Sequence, residues 1–158
     1  MKLEKQVCSL ELAKRLKELG VKQDSEYEWE TDRRPSKQKP VLKTSSIRGC
    51  RRCGAIINGL PRPTIACERF AAFTVAELGQ MLPARIKGRK YLNLVTTKRE
   101  IPKEHFQIGY AEQDWEEVVP NTEDCAAQIE ADARAKMLIY LLENDLMDKS
   151  SVQPPSAR

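Results

Sequence analysis

The feature that most constrains this chain is residues 124–146, its longest continuous helical pattern, which ends on its most apolar run, Met137-Leu138-Ile139-Tyr140-Leu141-Leu142. Ala126, Ala127, Ala131, Ala133 and Ala135 carry high helix propensity, and Ile129, Ala133, Met137 and Tyr140 recur at the spacing of one buried stripe. The run at its C-terminal half is apolar almost all round, so that half must be covered on more than one side. A helix of about 20 residues is roughly 30 Å long and spans a small domain. Glu130, Asp132, Arg134 and Lys136 interrupt it, and the apolar run falls well short of the roughly 18 residues a membrane span needs. The stretch therefore reads as the core helix around which the other elements pack.

Those elements follow in order. Ser9 is placed to cap a helix over residues 10–19, with Leu12, Leu16 and Leu19 on one face and Gly20 as its stop. Residues 26–31 alternate strictly, which predicts a strand with Tyr27, Trp29 and Thr31 toward the core and three glutamates toward water. Residues 32–44 are rich in Arg, Lys, Ser, Gln and Pro, a composition expected of a mobile linker. Gly54, Gly59, Pro61 and Pro63 then predict irregular structure over 44–69. Thr74 and Glu77 have capping-box spacing, with Phe73 and Leu78 placed as a hydrophobic staple, so a short helix should start at Val75 and bury Val75, Leu78 and Leu82. Residues 91–97 and 105–111 read as a hairpin with Phe106, Ile108 and Tyr110 on one side, and Val118 and Val119 as a further strand or a cover for the core edge. Residues 149–158 look like a frayed tail.

The fold class that results is α+β: a small antiparallel sheet with three helices, the long C-terminal helix as core. The expected organisation is one domain from residues 1–31 and 70–147, a basic Pro- and Cys-containing insert at 32–69, and a disordered tail at 148–158. A chain of 158 residues that is 41% hydrophobic supports one such body with a modest core. Residues 1–5 carry charge with no apolar run after them, which predicts a cytoplasmic protein with no membrane association.

Charge is distributed unevenly. Residues 33–67 hold nine Lys or Arg and no Asp or Glu, so with +4 overall the remainder is net −5. Such a stretch can neutralise phosphates, and Arg48, Arg51, Arg52 and Arg62 are its candidate nucleic-acid contacts. It has no Phe, Tyr or Trp for stacking on bases. The same stretch holds Cys50 and Cys53, spaced as in a zinc knuckle, with Cys67 as a third thiolate. A fourth zinc ligand would have to come from Glu68, His105, Cys8 or Cys125; otherwise the cysteines are free thiols. His105 is the only histidine, and its place opposite Phe106, Ile108 and Tyr110 predicts an exposed, unpaired ring. Phosphate-loop, nucleophile-elbow and paired-histidine motifs are missing from the sequence, so an enzyme is not expected.

Three blocks, residues 8–23 (CSLELAKRLKELGVKQ), 73–83 (FTVAELGQMLP) and 130–144 (EADARAKMLIYLLEN), cover 42 of the 158 residues. They resemble a group of small phage- and prophage-encoded proteins. The blocks coincide with the three expected helices, and the group has no assigned activity from which site residues could be carried over. The resemblance implies a non-enzymatic accessory protein that binds a host or phage macromolecule, with a protein as partner. The alternative that the residues leave open is a zinc-stabilised nucleic-acid-binding module built on the basic insert.

Overall fold

The computed structural model describes residues 3–32, 39–45, 56–57, 60–61, 67–84, 86, 93–99, 105–111, 118–119, 125–148 and 152. The fold is α+β. The first helix, α1 (Leu10–Glu18), stops where Gly20 adopts φ 87°. The Gly20 N–H donates to the Lys17 carbonyl and the Val21 N–H to the Leu16 carbonyl, each at 3.0 Å, the two bonds of a Schellman motif. Ser9 holds the N-cap position but its side chain makes no cap. Its backbone N–H donates instead to Asp132 Oδ1 at 2.6 Å, which ties the start of α1 to the C-terminal helix. Leu16 and Ala13 are buried, and Leu12 and Leu19 pack at the core's margin.

Three antiparallel strands form the first sheet: β1 (Tyr27–Asp32) lies between β2 (Val41–Thr44) and β5 (Cys67–Ala71). Residues 41–44 were expected in a mobile linker and 67–69 in irregular chain, and the structure corrects both. Leu42 and Phe70 flank Trp29 in register, so short strands with few apolar residues are held by cross-strand pairs on a central aromatic. Between them, β3 (Ile56–Ile57) pairs with β4 (Leu60–Pro61). The intervening Asn58-Gly59 is a two-residue hairpin signal within the stretch whose glycines and prolines argued for irregularity.

The second helix, α2 (Val75–Met81), begins with the expected capping box, Thr74 accepting from the Glu77 N–H and Glu77 accepting from the Thr74 N–H. Phe73, Leu78, Met81 and Leu82 are buried, whereas Val75 is partly so. The second sheet is the expected hairpin of β6 (Asn93–Arg99) and β7 (His105–Ala111), in register from Asn93 opposite Ala111 to Arg99 opposite His105. Along the other edge of β7, β8 (Val118–Val119) pairs with Tyr110 and Ala111, and β9 (Ala126–Ala127) with Phe106 and Gln107.

That pairing shortens the organising helix, since α3 spans Glu130–Glu143 rather than 124–146. Ala126 and Ala127 are good helix formers, but hydrogen bonding to β7 and the Lys136 ammonium donating to the Ala126 carbonyl at 2.7 Å hold them extended. From Glu130 onward α3 packs against α1, α2, β7 and β9. Ala131, Ala133, Ala135, Met137, Leu138, Leu141 and Leu142 are buried, so the helix is enclosed on several sides as its composition required. Gly79 leaves room for the Arg134 guanidinium: a Cβ there would lie 2.8 Å from Arg134 Nη1, and the flexible arginine would have to move aside. Val152, within the expected frayed tail, is buried in the same core. Among the described residues no helix is long and apolar enough to cross a membrane.

Because Leu138 is fully enclosed, Leu138→Ala is expected to cost about 2–5 kcal/mol, the range for deleting a buried leucine. Urea unfolding monitored by circular dichroism measures it, and a loss below about 0.5 kcal/mol, typical of surface substitutions, would show that α3 is not the core helix.

Candidate functional site

Of the residues singled out in the sequence, Arg48, Cys50, Arg51, Arg52, Cys53 and Arg62 lie outside the described residues. The backbone of Cys67 opens β5 opposite Asp32. Among the described residues no group of three or more His, Cys, Asp or Glu is arranged to hold a metal ion. Cys8 and Cys125, named as distant fourth ligands, are both buried. Burial pushes the Cys8 thiol up to about 12, so at neutral pH it is a core thiol rather than the thiolate a zinc ion needs. His105 is partly buried and has a partner, not the exposed unpaired ring that alternation predicted.

The glutamates of β1 overturn a second expectation. Strict alternation implied a wet acidic face, yet Glu30 is 2% exposed, and Glu28 is partly buried. Lys43 of β2 lies between them. Its ammonium donates to Glu30 Oε2 in a short hydrogen bond and sits 3.1 Å from Glu28 Oε1. Arg69 Nη1 approaches the same Glu28 oxygen at 3.5 Å. Glu28 Oε1 thus has two cations at ion-pair distance but no aligned hydrogen-bond donor. Burial alone pulls the Lys43 pKa down, but the hydrogen bond to Glu30 and the nearby negative charges of Glu28 and Glu30 outweigh it and leave the pKa raised. Among the described residues this cluster sets two carboxylates against two cations, an arrangement that serves the sheet's structure. The hollow beside it, about 50 Å³ and lined by Gln23, Ser25, Ser45 and Arg69 among others, has room for a water but not for a substrate.

The larger concavity is elsewhere. A groove of about 970 Å³ runs between the N-terminal turn, the start of α2, β7 and the start of α3, lined by Lys5, Gln6, Val75, Phe106, Ile129 and Glu130 together with Thr74, Ala76 and Gln128. Its walls are fixed from beneath. The Val75 N–H donates to the Gln6 carbonyl at 3.3 Å and the Cys8 N–H to the Phe73 carbonyl at 2.9 Å, so the N-terminal segment is laid against the capping box of α2. Phe106 is positioned by its register opposite Ala127, and Ile129 by ending the extended approach to α3 with φ −117° and ψ 131°. The lining is mainly apolar at Val75, Ala76, Phe106 and Ile129. Among the described lining residues, Lys5 and Glu130 give it one charge of each sign, and Gln6 and Gln128 offer neutral polar groups.

No protein-family model, curated protein or solved structure matches this chain.

The groove escaped sequence reasoning because its residues come from four separated segments; the capping box was the one local signal pointing to any of them. Lys43 escaped because it sits in a run whose composition resembles a linker. Breaking a buried pair leaves an uncompensated charge that costs about 3–5 kcal/mol, so Lys43→Met is expected to lose that much at pH 7. A raised lysine pKa contributes stability that is complete below the unfolded value, about 10.4, and is lost as pH rises through the folded one. The gap between wild type and Lys43→Met should therefore be constant below about pH 10.4 and narrow as pH rises beyond it, measured by urea unfolding at each pH. A gap of equal size at pH 7 and at the alkaline end would contradict the ion pair.

Proposed function

We propose that this chain is a non-enzymatic phage or prophage accessory protein that binds a host or phage macromolecule by seating an extended, uncharged peptide segment of a protein partner in the groove beside α2 and α3. The groove's lining carries this reading. Its size, about 970 Å³, is at the upper end of ligand sites, about 300–1,000 Å³, and it is partly open to solvent. Val75, Phe106 and Ile129 provide an apolar floor for side chains, and neutral amides at Gln6 and Gln128 provide directed polar contacts.

Charge favours a peptide over a nucleic acid. Among the described lining residues one Lys and one Glu balance each other, whereas a phosphate backbone calls for clustered cations. The zinc-stabilised nucleic-acid reading draws on the basic stretch at 33–67, and Lys43, one of its cations, is already engaged by Glu28 and Glu30.

Selection from a displayed random peptide library tests the proposal. Enriched peptides are expected to be uncharged with an aliphatic or aromatic anchor, and to bind Ala76→Glu at least about tenfold more weakly, a change of about 1.4 kcal/mol. Ala76 is exposed near the α2 N-terminus, where a carboxylate suits the helix dipole, so the variant should fold. No enrichment, or enriched peptides that ignore Ala76→Glu, would contradict the groove as the binding site.

A further inference from the structure

The first sheet has two outer edges, and they are treated differently. In β5 the residues whose backbone points away from β1 include Arg69 and Ala71, because Phe70 is hydrogen-bonded to Trp29 on the inner side. Both are closed by side chains. The Lys17 ammonium donates to the Arg69 carbonyl at 3.2 Å, and the Ala71 N–H donates to Gln23 Oε1 at 2.9 Å. A new strand cannot add on that side without displacing α1 and the chain that follows it.

On β2 the pattern is reversed. The Ser45 N–H donates to the Glu26 carbonyl at 2.8 Å, so with this register Lys43 and Val41 turn their backbone groups inward, and Leu42 and Thr44 turn theirs outward. Among the described residues no side chain caps the N–H or carbonyl of either. Beside them Val41 is 45% exposed, the exposed large hydrophobic side chain among the described residues. Uncapped edge strands are templates for another strand.

We propose that β2 pairs antiparallel with β2 of a second copy of this chain across a two-fold axis at Lys43. The hydrogen-bonding pattern is self-complementary in that register. Leu42 faces Thr44 of the second copy and Thr44 faces its Leu42, each as a hydrogen-bonded pair, so four backbone bonds close. A register centred on Leu42 would set Thr44 opposite Pro40, which has no N–H to give. Charge is compatible too. The centred register places the two Lys43 residues across from each other, normally repulsive, but each ammonium is turned toward Glu30 and Glu28 of its own chain. Each Val41 then lies opposite Ser45 of the second copy and gains cover from it. A four-residue strand buries far less than the roughly 1,200 Å² of a standard interface, so the dimer is a weak one that forms at high concentration.

Sedimentation equilibrium on the full-length protein, up to about 1 mM, tests this, since that Kd corresponds to about 4 kcal/mol of association. A reversible monomer–dimer equilibrium is expected. Leu42→Pro removes an outward N–H without touching a bond to β1, and is expected to weaken the dimer at least about tenfold. Val41→Lys brings two new cations beside the axis and should do the same, which keeps the test decisive if proline disturbs β2. Circular dichroism melts report whether each variant keeps its fold. A protein that stays monomeric throughout, or a dimer that the folded variants leave unchanged, overturns the proposal.

Discussion

One carboxylate joins the helical core to the first sheet by hydrogen bonds to both. Glu77 Oε2 accepts the Thr74 N–H at 2.7 Å, the Thr74 hydroxyl at 2.8 Å and the Ser25 hydroxyl at 3.1 Å, while Oε1 accepts the Glu26 N–H at 3.0 Å. The first two bonds belong to the capping box of a seven-residue helix, too short to persist without tertiary support. The other two belong to the chain leading into β1. A local capping device thus doubles as the joint between the helical core and the first sheet, at 9% residual exposure, where an unsatisfied carboxylate would be costly. Since Thr74, Val75 and Ala76 line the groove, the same joint fixes one of its walls.

The first sheet packs on the helices with one face and is partly enclosed on the other, and each side is held by different chemistry. Toward the helices, Trp29 sits between Leu42 and Phe70, with its indole N–H donating to the Cys8 carbonyl at 2.8 Å. The Phe70 ring lies under the ammonium groups of Lys17 and Lys14, at 4.6 and 5.5 Å, so α1 contributes cations as well as leucines to the contact. Away from the helices, Lys43 and Arg69 neutralise Glu28 and Glu30. At the far side of the core, the Tyr110 hydroxyl donates to the Pro83 carbonyl at 2.6 Å, joining β7 to the end of α2, and burial raises its pKa. The groove lies beside the starts of α2 and α3, where no other described element covers them.

Legibility followed the range of the interactions. The capping box at Thr74 and Glu77, the Gly20 stop and the β6–β7 hairpin are written within a few residues, and each has a local physical cause. Where long-range contacts decide, the pattern misled. Alternation through Glu26–Tyr27–Glu28–Trp29–Glu30 has the right period, but a period says only that residues fall on opposite faces, not that one face is wet. Lys43, Arg69 and the glutamates find one another across three strands from separated segments, which no window of sequence can display. Ala126 and Ala127 carry helical propensity and are overruled by two β-bridges to β7. Val152 is a lone apolar residue among polar neighbours, and only the fold shows that it reaches the core. The groove is still less legible, because none of its four segments carries a binding motif by itself.

The most direct test of the joint is Glu77→Gln, which keeps the shape but removes the charge that four donors converge on. It should cost about 1.5–3 kcal/mol, the range for hydrogen bonds to a charged group, by urea unfolding. Amide exchange in the same variant should accelerate at Glu26 and Thr74, and the α3 amides should exchange at their wild-type rates under conditions corrected for global stability. A loss below about 0.5 kcal/mol, the scale of ordinary surface changes, with unaltered exchange at Glu26 and Thr74, would contradict the claim that this carboxylate is a joint between the sheet and the core.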